Sequence, residues 1–308
     1  MPNERPAAMT DMLMRERGAL LDVSYRLLGS ITEAEDAVQE SFARWYALSD
    51  AERGAIANPG AWMTRVVSRI CLDVLRSARV RRERYVGEWL PEPIPDTAEW
   101  HRHQSVDSAD PADRITLDES IDLAFLVILD AMTPAERVAF LLHDVFGYSF
   151  DEIAEIVGRS SGACRQLASS ARRRVRDARP GAAPTVPRAD VVHDFKQAWQ
   201  AKDVAALVNL LDPTVVAVAD GGGRVTASPE PVTGSEQVTR FLILLAELAE
   251  RAGGLDLVER TVNGQPGLVA FDRGVVVAVY AFEIAADRIH RLWVVRNPEK
   301  LQAWPNER

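Results

Sequence analysis

The chain has 308 residues, of which 47% are hydrophobic and 26% charged, and this composition is typical of a globular protein with two or three domains. The sequence contains no apolar run of roughly 18–20 residues and no N-terminal signal core, so we expect a cytoplasmic protein that does not bind membranes. The formal net charge of −9 argues against an indiscriminate nucleic-acid binder. Two cysteines, Cys71 and Cys164, have neither disulfide nor metal spacing, which fits a reducing compartment and predicts no metal site.

The positive charge is concentrated in two places. Residues 65–84 contain seven arginines against two acidic residues, and residues 165–179 contain six arginines against one. Such clusters on an acidic chain indicate two directed contacts with anions, although two solvated helix ends would give the same counts.

Residues 1–88 are predicted to form a helical domain. Thr32 and Glu35 indicate a capping box, and the helix that follows has an apolar face that includes Phe42 and Trp45. Its other face carries three polar residues, Asp36, Gln39 and Glu40. After a break at residues 58–60, a second helix runs into the first arginine cluster.

Residues 89–113 are predicted to be a proline-rich, acidic linker that starts with the motif "WLPEP". His101 and His103 have no other ligand type nearby, so we expect solvated side chains rather than a metal site.

Residues 114–179 are predicted to contain a helix-turn-helix. Thr133 with Glu136 and the sequence from Ser149 to Glu152 indicate capping boxes, and Gly158 indicates the turn before a third helix that starts at residue 160 or 161. That third helix has a polar outer face with Arg165, Gln166, Ser169 and a run of arginines at 172–174 and 176. We expect Arg165 and Gln166 to contact base edges and the later arginines to hold phosphates, whereas a helical hairpin with a basic surface is the alternative.

Residues 180–188 form a second predicted linker, and residues 189–308 have the pattern of an α+β domain. We expect one helix over 189–211, a strand, a glycine turn, a second helix and then strands of a curved antiparallel sheet. The alternation over 275–284 is the clearest strand signal.

Five motifs together resemble a known family. "EAEDAVQESFARWY" with "NPGAWMTRVVSRICLDVLRSARVRR" resembles region 2 of extracytoplasmic-function (ECF) sigma factors, and the segment from "MTPAERVAF" to "SSARRRVR" resembles their region 4. The motifs "WLPEP", "DGGGR" and "NPEKL" resemble the subgroup with a C-terminal SnoaL-like (NTF2-like) extension. The resemblance implies a multidomain protein that binds core RNA polymerase, through its beta-prime and beta subunits, and promoter DNA. It also implies no catalytic activity and no cofactor.

The resemblance implies roles for individual residues. Those that match the core-polymerase contact are Asp36, Gln39, Glu40, Phe42 and Trp45. Those that match the −10 contact are Arg65, Arg69, Arg76, Arg79, Arg81 and Arg82. Those that match the −35 contact are Ser160, Ser161, Arg165, Gln166, Ser169, Arg172 and Arg173.

The motif "WLPEP" suggests how the C-terminal extension regulates the protein. Apolar Trp89 and Leu90 would be unfavourably exposed in a free linker, and the glycine turn at 221–223 allows a close backbone approach. We therefore expect the extension to dock on the linker and sigma domains and to tune activity. The residues of this interdomain contact are Trp89, Leu90, Pro91, Glu92, Pro93, Asp220, Gly221, Gly222, Gly223, Arg224, Asn297 and Pro298.

Two other functions stay open on the sequence. The protein could be a one-component DNA-binding regulator that senses an unknown small molecule in its SnoaL-like cone, or a SnoaL-type enzyme with a DNA-binding tether. Candidate residues for lining the cone are Asp220, Arg224, Asp272, His290 and Trp293.

Overall fold

The computed structural model describes residues 4–82, 85–95, 122–178 and 184–306. The chain forms two compact units: the first contains residues 1–81, 97–120 and 128–177, and the second contains residues 82–96, 121–127 and 178–308. His101, His103 and most of the predicted linkers lie outside the described residues. Within the described part, every helix is too short or too polar to cross a membrane.

The N-terminal part of the first unit is helical, as predicted. Its elements are α1 (Glu4–Leu28), α2 (Ile31–Ala47), α3 (Asp50–Ala55) and α4 (Pro59–Arg82). The buried face of α2 ends at Trp45, whose ring meets Trp62 of α4 edge-on with 5.3 Å between ring centroids. This aromatic contact joins α2 to α4 and thereby orients the polar faces of both helices.

Helix α2 begins earlier than the sequence pattern indicated. Ser30 is the N-cap, with extended backbone angles, and its hydroxyl accepts a hydrogen bond from the Glu33 amide at 3.3 Å. Thr32, the predicted cap, is exposed within the first turn. Serine and threonine are both good caps, so the sequence alone did not discriminate between them.

The second helical part agrees with the predicted helix-turn-helix. Its elements are α5 (Leu123–Asp130), α6 (Pro134–Phe140), a π-helical turn (Leu141–Val145), α7 (Phe150–Val157) and α8 (Ser161–Ala178). Capping boxes are present at Thr133 and Ser149, and Gly158 ends α7 with a φ of 73°. Helix α5 passes from one unit to the other, because its first five residues belong to the second unit and the rest to the first.

The second unit is the predicted α+β domain. Its helices are α9 (Arg188–Gln200), α10 (Val204–Leu210) and α11 (Ser235–Arg251). Its strands are β1 (Leu211–Asp220), β2 (Val232–Thr233), β3 (Asp256–Val262), β4 (Gln265–Asp272), β5 (Val275–Ala285) and β6 (Arg288–Val295). They form one sheet in the order β2-β1-β6-β5-β4-β3.

Two details of this domain differ from the prediction. The sheet is mixed, because β1 pairs in parallel with β6 while the other neighbouring strands are antiparallel. The expected single helix over 189–211 is two helices, which are separated at Lys202 (φ 55°) and restarted by the Asp203 N-cap. Both departures depend on backbone geometry that hydrophobic periodicity does not encode.

The sheet is covered on both faces, which explains why β5 is a nearly continuous apolar run and not the alternation of apolar and polar residues that was predicted. Tyr280 and Phe282 point into the core beneath α9–α11, where Phe282 meets Phe195 with ring centroids 5.2 Å apart. Val279 and Ala281 point into a second buried cluster on the opposite face. Successive strand residues face opposite sides, so a sheet that is buried on both faces needs apolar residues at nearly every position.

The start of α2 is open to a paired test. We expect Ser30→Ala to lower the free energy of unfolding by about 1 kcal/mol because it removes the cap, and Thr32→Ala to leave it nearly unchanged. Urea denaturation of both variants, followed by circular dichroism, measures the difference. An equal or larger loss in Thr32→Ala would show that the helix begins where the sequence pattern placed it.

Candidate nucleic-acid interface and linker-binding site

The polar face of α2 is largely open to solvent. Asp36, Gln39 and Glu40 are exposed, and Phe42 is partly exposed. Trp45, which was predicted on the same contact surface, is fully buried and supports the helix from inside. The predicted direct contact is therefore corrected to a packing role, because a residue with no exposed surface cannot touch a partner.

An exposed aromatic side chain on α2 escaped the sequence analysis. Tyr46 is 58% exposed and lies one and two turns after Phe42 and Gln39, so the three residues share one side of the helix. The helical spacing from Gln39 and Phe42 already indicated Tyr46, but the neighbouring Trp45 was assigned to the contact surface instead.

Helix α4 carries an exposed arginine face. The side chains of Arg65, Arg69 and Arg76 reach solvent, and Arg76 pairs with Asp73 of the same helix at 3.1 Å. The side chains of the three later predicted arginines lie outside the described part of the chain: Arg79, Arg81 and Arg82.

Within the first unit, α4 is in contact with the helix-turn-helix. Arg65 makes a 2.8 Å ion pair with Glu155 of α7. Burial raises the pKa of Tyr148, and a hydrogen bond with Thr64 opposes this shift. The nearly buried Arg137 donates to the carbonyl of Leu27 at 3.0 Å. The two helical parts are therefore in contact, and one of these contacts involves Arg65, which was predicted to bind DNA.

Helix α8 presents most of its predicted residues outward. Arg165, Gln166, Ser169 and Arg173 are exposed, and Ser160 caps the helix by accepting from the Ala163 amide. The hydroxyl of Ser161 bonds to Asp151 at the start of α7, and the Arg165 guanidinium lies over the ring of Phe150, 5.2 Å from its centroid.

Arg172 differs from the other outward residues of α8. Its guanidinium is half-buried and binds the Asp144 carboxylate in the π-helical turn. The other carboxylate oxygen of Asp144 is buried without a hydrogen-bond partner in the described part of the chain. This ion pair holds α8 against the turn, and the Arg172 side chain remains 40% exposed, so its predicted DNA contact stays a prediction.

The segment 85–95 lies on the sheet of the second unit. Residues 90–94 are buried, and Leu90 joins the cluster on the sheet face opposite the helices. Trp304 donates its indole N–H to the Pro93 carbonyl at 2.9 Å, and Ile94 exchanges two hydrogen bonds with Asn263. The sheet therefore binds residues 90–94 of the linker through their backbone as well as through burial of their apolar side chains.

Asp220, at the end of β1, organises this contact. It is fully buried, and among the described residues its carboxylate accepts four hydrogen bonds. The donors are the Tyr85 hydroxyl at 2.7 Å, the amides of Leu90 and Gly222 at 3.0 Å and the Lys300 ammonium at 2.7 Å. A buried carboxylate with all its lone pairs satisfied is a specific receptor for these donors.

Lys300 completes the site from the other side. Its ammonium group donates to the Leu90 carbonyl and lies 4.2 Å from the centroid of the Trp89 ring. Tyr85 in turn accepts a hydrogen bond from Asn297 at 2.9 Å. Burial and the hydrogen bond to Asp220 raise the pKa of Tyr85, which keeps its hydroxyl a donor.

The glycine turn after Asp220 permits this close packing. Gly222 has a φ of 60°, and a Cβ atom there would lie 2.4 Å from the Asn297 amide nitrogen. Gly223 has a φ of 67°, and its Cβ would lie 2.9 Å from Val86. Arg224 and Pro298, in contrast, are exposed, and Arg224 pairs with Glu299 rather than with the linker.

Four residues of this site were absent from the predicted set: Tyr85, Asn263, Lys300 and Trp304. Lys300 lies in the quoted "NPEKL" motif, so a signal for it existed. Nothing in the local pattern around Asn263 or Trp304 identifies a partner that lies more than 160 positions away in the chain.

The candidate cone residues do not share one site. Asp220 and Trp293 belong to the linker side of the sheet, while Asp272 is exposed at the end of β4. His290 bonds to the Ala285 carbonyl at 3.2 Å. The space beneath the helices is occupied by packed apolar and aromatic side chains such as Trp199, which meets Tyr280 with ring centroids 5.3 Å apart.

The start of α5 lies on the same sheet face as residues 90–94 of the linker. Leu123 is buried in the cluster that contains Leu90, and Ala124 and Val127 pack against it. The chain is therefore anchored to this face both before and after residues 96–121.

These features define a DNA-binding protein with two arginine-bearing helical parts and a linker held by a third domain. Two family models match it: "Sigma-70 region 2" over residues 12–81 and "Sigma-70, region 4" over residues 122–175. The chain is 37% identical to the ECF RNA polymerase sigma factor SigJ of Mycobacterium tuberculosis, over 94% of this chain and 92% of the relative. It is also 37% identical to the probable ECF RNA polymerase sigma factor SigI of that organism, over 92% of both chains.

A solved structure supports the same relationship over nearly the whole chain. The crystal structure of M. tuberculosis SigJ matches with a TM-score of 0.73 and 32% identity, and the match covers 97% of this chain and 100% of the other. The chain belongs to the ECF RNA polymerase sigma factor family. The predicted resemblance to ECF sigma factors is confirmed, and so is the multidomain fold class.

Asp220 provides a test of the linker-binding site. In Asp220→Asn the amide NH₂ would face donors in either orientation: the Leu90 amide and the Lys300 ammonium, or the Gly222 amide and the Tyr85 hydroxyl. Lys300 would also lose its buried counter-charge. We expect the free energy of unfolding to fall by about 3–5 kcal/mol, measured by urea denaturation.

Asp272→Asn is the matched control for this substitution. Asp272 is half exposed, and its Oδ1 lies 3.7 Å from Arg273 Nε. Loss of this exposed ion pair should lower the free energy of unfolding by no more than about 1 kcal/mol. Equal stabilities of the two variants would mean that the Asp220 network contributes nothing to the fold.

Proposed function

We propose that this chain is an alternative sigma factor that binds core RNA polymerase, directs promoter-specific initiation and is tuned by its C-terminal domain. Sigma factors bind core polymerase and promoter DNA, and the family membership of this chain supports the first part. The observation that carries the second part is the buried Asp220 carboxylate, which binds the linker backbone at Leu90.

The core-binding surface is assigned to the exposed face of α2. Asp36, Gln39 and Glu40 supply its polar contacts to the beta-prime and beta subunits, and Phe42 with Tyr46 supplies apolar area. A mixed surface of this kind, with exposed aromatics beside acidic groups, has the composition of a protein–protein contact.

The DNA contacts are assigned to α4 and α8. Arg65, Arg69 and Arg76 would hold phosphates at the −10 element. At the −35 element, the outward residues of α8 would enter the major groove, where arginine and glutamine side chains can read base edges. The assigned residues at and within α8 are Ser160, Ser161, Arg165, Gln166, Ser169, Arg172 and Arg173.

Anchoring of the linker gives the C-terminal domain its role. The 26 residues from 96 to 121 could span roughly 90 Å if fully extended, so an unanchored linker would leave the spacing of the two DNA-binding parts loosely defined. The sheet holds the chain at Leu90 before this segment and at Leu123 after it. We infer that this anchoring restricts the promoter spacings that the protein accepts.

The first unit must open when both promoter elements are bound. The −10 and −35 elements are about 25 base pairs apart, which corresponds to roughly 85 Å of duplex at 3.4 Å per base pair. Arg65 and Glu155, one from each DNA-binding part, are only 2.8 Å apart. The ion pair therefore competes with the phosphate contact of Arg65.

A spacing experiment tests the anchoring proposal. The triple variant Tyr85→Phe, Asn263→Ala, Trp304→Phe removes linker hydrogen bonds worth about 0.5–1.5 kcal/mol each. Run-off transcription with core polymerase is measured on promoters whose −10/−35 spacer changes in single base-pair steps. We expect unchanged core affinity, and a ratio of output between the best spacer and its neighbours that falls by about three- to tenfold.

Lys202→Ala is the matched control, because it breaks only the exposed pair with Glu250 on the far side of the domain. A triple variant with wild-type spacer preference and confirmed weaker linker contacts would refute the anchoring proposal. If wild-type protein with core polymerase started no promoter-dependent transcript, the assignment of sigma activity itself would fail.

The competition at Arg65 predicts opposite effects for substitutions of the two residues in the ion pair. Glu155→Gln should raise transcription at limiting protein by up to about fivefold, since an exposed ion pair contributes about 0.2–1 kcal/mol. Arg65→Ala should lower it, because the phosphate contact is lost. Glu247→Gln, which removes an exposed pair with Arg251, is the control. A drop in output for Glu155→Gln would contradict the competition.

A further inference from the structure

A stack of three side chains joins the π-helical turn to helix α8. The imidazole of His143 lies on the ring of Phe150, with 4.0 Å between ring centroids and an interplanar angle of 29°. The guanidinium of Arg165 lies over the same phenyl ring, 5.2 Å from its centroid. Arg165 was predicted to contact a base edge, whereas neither ring was predicted to have a role.

Each member of the stack is held in place by its own backbone or hydrogen bonds. Phe150 is the first residue of α7, which the capping box of Ser149 and Glu152 fixes. His143 Nδ1 lies 2.8 Å from the Tyr148 carbonyl oxygen. A carbonyl oxygen can only accept, so Nδ1 carries the proton and the plane of the imidazole is set. The contact of Ser161 with Asp151 ties the same end of α7 to the start of α8.

We propose that Phe150, supported by His143, is a positioning residue that holds the Arg165 guanidinium in the orientation needed to read a guanine in the −35 element. Arginine pairs bidentately with the O6 and N7 atoms of guanine, which requires the planar guanidinium to arrive in a defined orientation. An exposed arginine samples many rotamers, and a stacked one has lost part of that freedom before binding. The inference rests on the proposed function, since it assumes that α8 reads the −35 element.

The stack has a chemical signature that simple packing lacks. Phe150 and His143 are only partly buried, and Arg165 is exposed, so the ring contact lies at the surface of the helix-turn-helix. The flat face of an aromatic ring attracts a cation, whereas a leucine of similar volume does not. Replacing Phe150 by leucine therefore removes the platform and keeps most of the apolar contact.

The experiment measures base discrimination by the whole protein with core polymerase. Run-off transcription from a promoter pool that is randomised across the −35 element identifies the base position at which Arg165→Ala loses its preference for guanine. We expect Phe150→Leu to lower discrimination at that same position by about three- to tenfold, within the range that a single bidentate contact provides. Output from the pool as a whole should change less.

Two further variants separate positioning from a structural role. Phe150→Tyr keeps the ring face and should retain wild-type discrimination. In an Arg165→Ala background, Phe150→Leu should cause no further loss of discrimination, because Phe150 acts through Arg165. Phe146→Leu is the matched control, since the guanidinium over the Phe146 ring, 5.7 Å from its centroid, is that of Arg26.

The outcomes distinguish the failure of this inference from the failure of the proposed function. If Arg165→Ala changes discrimination and Phe150→Leu does not, or if Phe150→Leu sharpens it, the platform is refuted while the sigma assignment stands. If Arg165→Ala alters no −35 position in an actively transcribing protein, the assignment of Arg165 as a base reader is wrong, and the platform with it. If wild-type protein directs no transcription, the proposed function fails.

Discussion

The buried pair of Asp220 and Lys300 is the interaction on which the second unit depends. The carboxylate is fully buried and the ammonium nearly so, and each group also binds the linker backbone at Leu90. Removing two charges from water is costly unless their remaining hydrogen bonds are satisfied, and here the linker supplies the missing partners. A domain that needs the linker to complete its own charge pair will hold that linker strongly, and this couples the fold of the extension to the geometry of the chain between the DNA-binding parts.

The first unit also contains an exposed contact between its two helical parts. The ion pair of Arg65 with Glu155 is open to solvent on both sides, so it contributes little stability and is screened by salt. The contrast suits a protein that keeps its linker bound while its DNA-binding parts change partners.

Local sequence signals were most reliable where the physics is local. Capping boxes at Thr133 and Ser149 and the left-handed Gly158 placed the helix-turn-helix correctly, because each depends on atoms only a few residues apart. Trp45 was misassigned because an apolar residue near a helix surface can face a partner protein or the protein's own core. The structure resolved this by placing Trp62 against it. The parallel pairing of β1 with β6 was missed because strand direction in a sheet is set by the path of the connections and not by residue pattern.

The sequence by itself determined the domain classes, the starts of α6, α7 and α8 and most of the outward residues of α8, since periodicity and capping chemistry act over one or two helical turns. It also indicated that Trp89 and Leu90 needed cover. Only the tertiary structure decided what covers them, because Tyr85, Asn263, Lys300 and Trp304 meet the linker or Asp220 across separations of 80 to 211 residues. Hydrogen bonds over such distances depend on the completed sheet, and no local pattern of residue types encodes which donor will face which buried carboxylate.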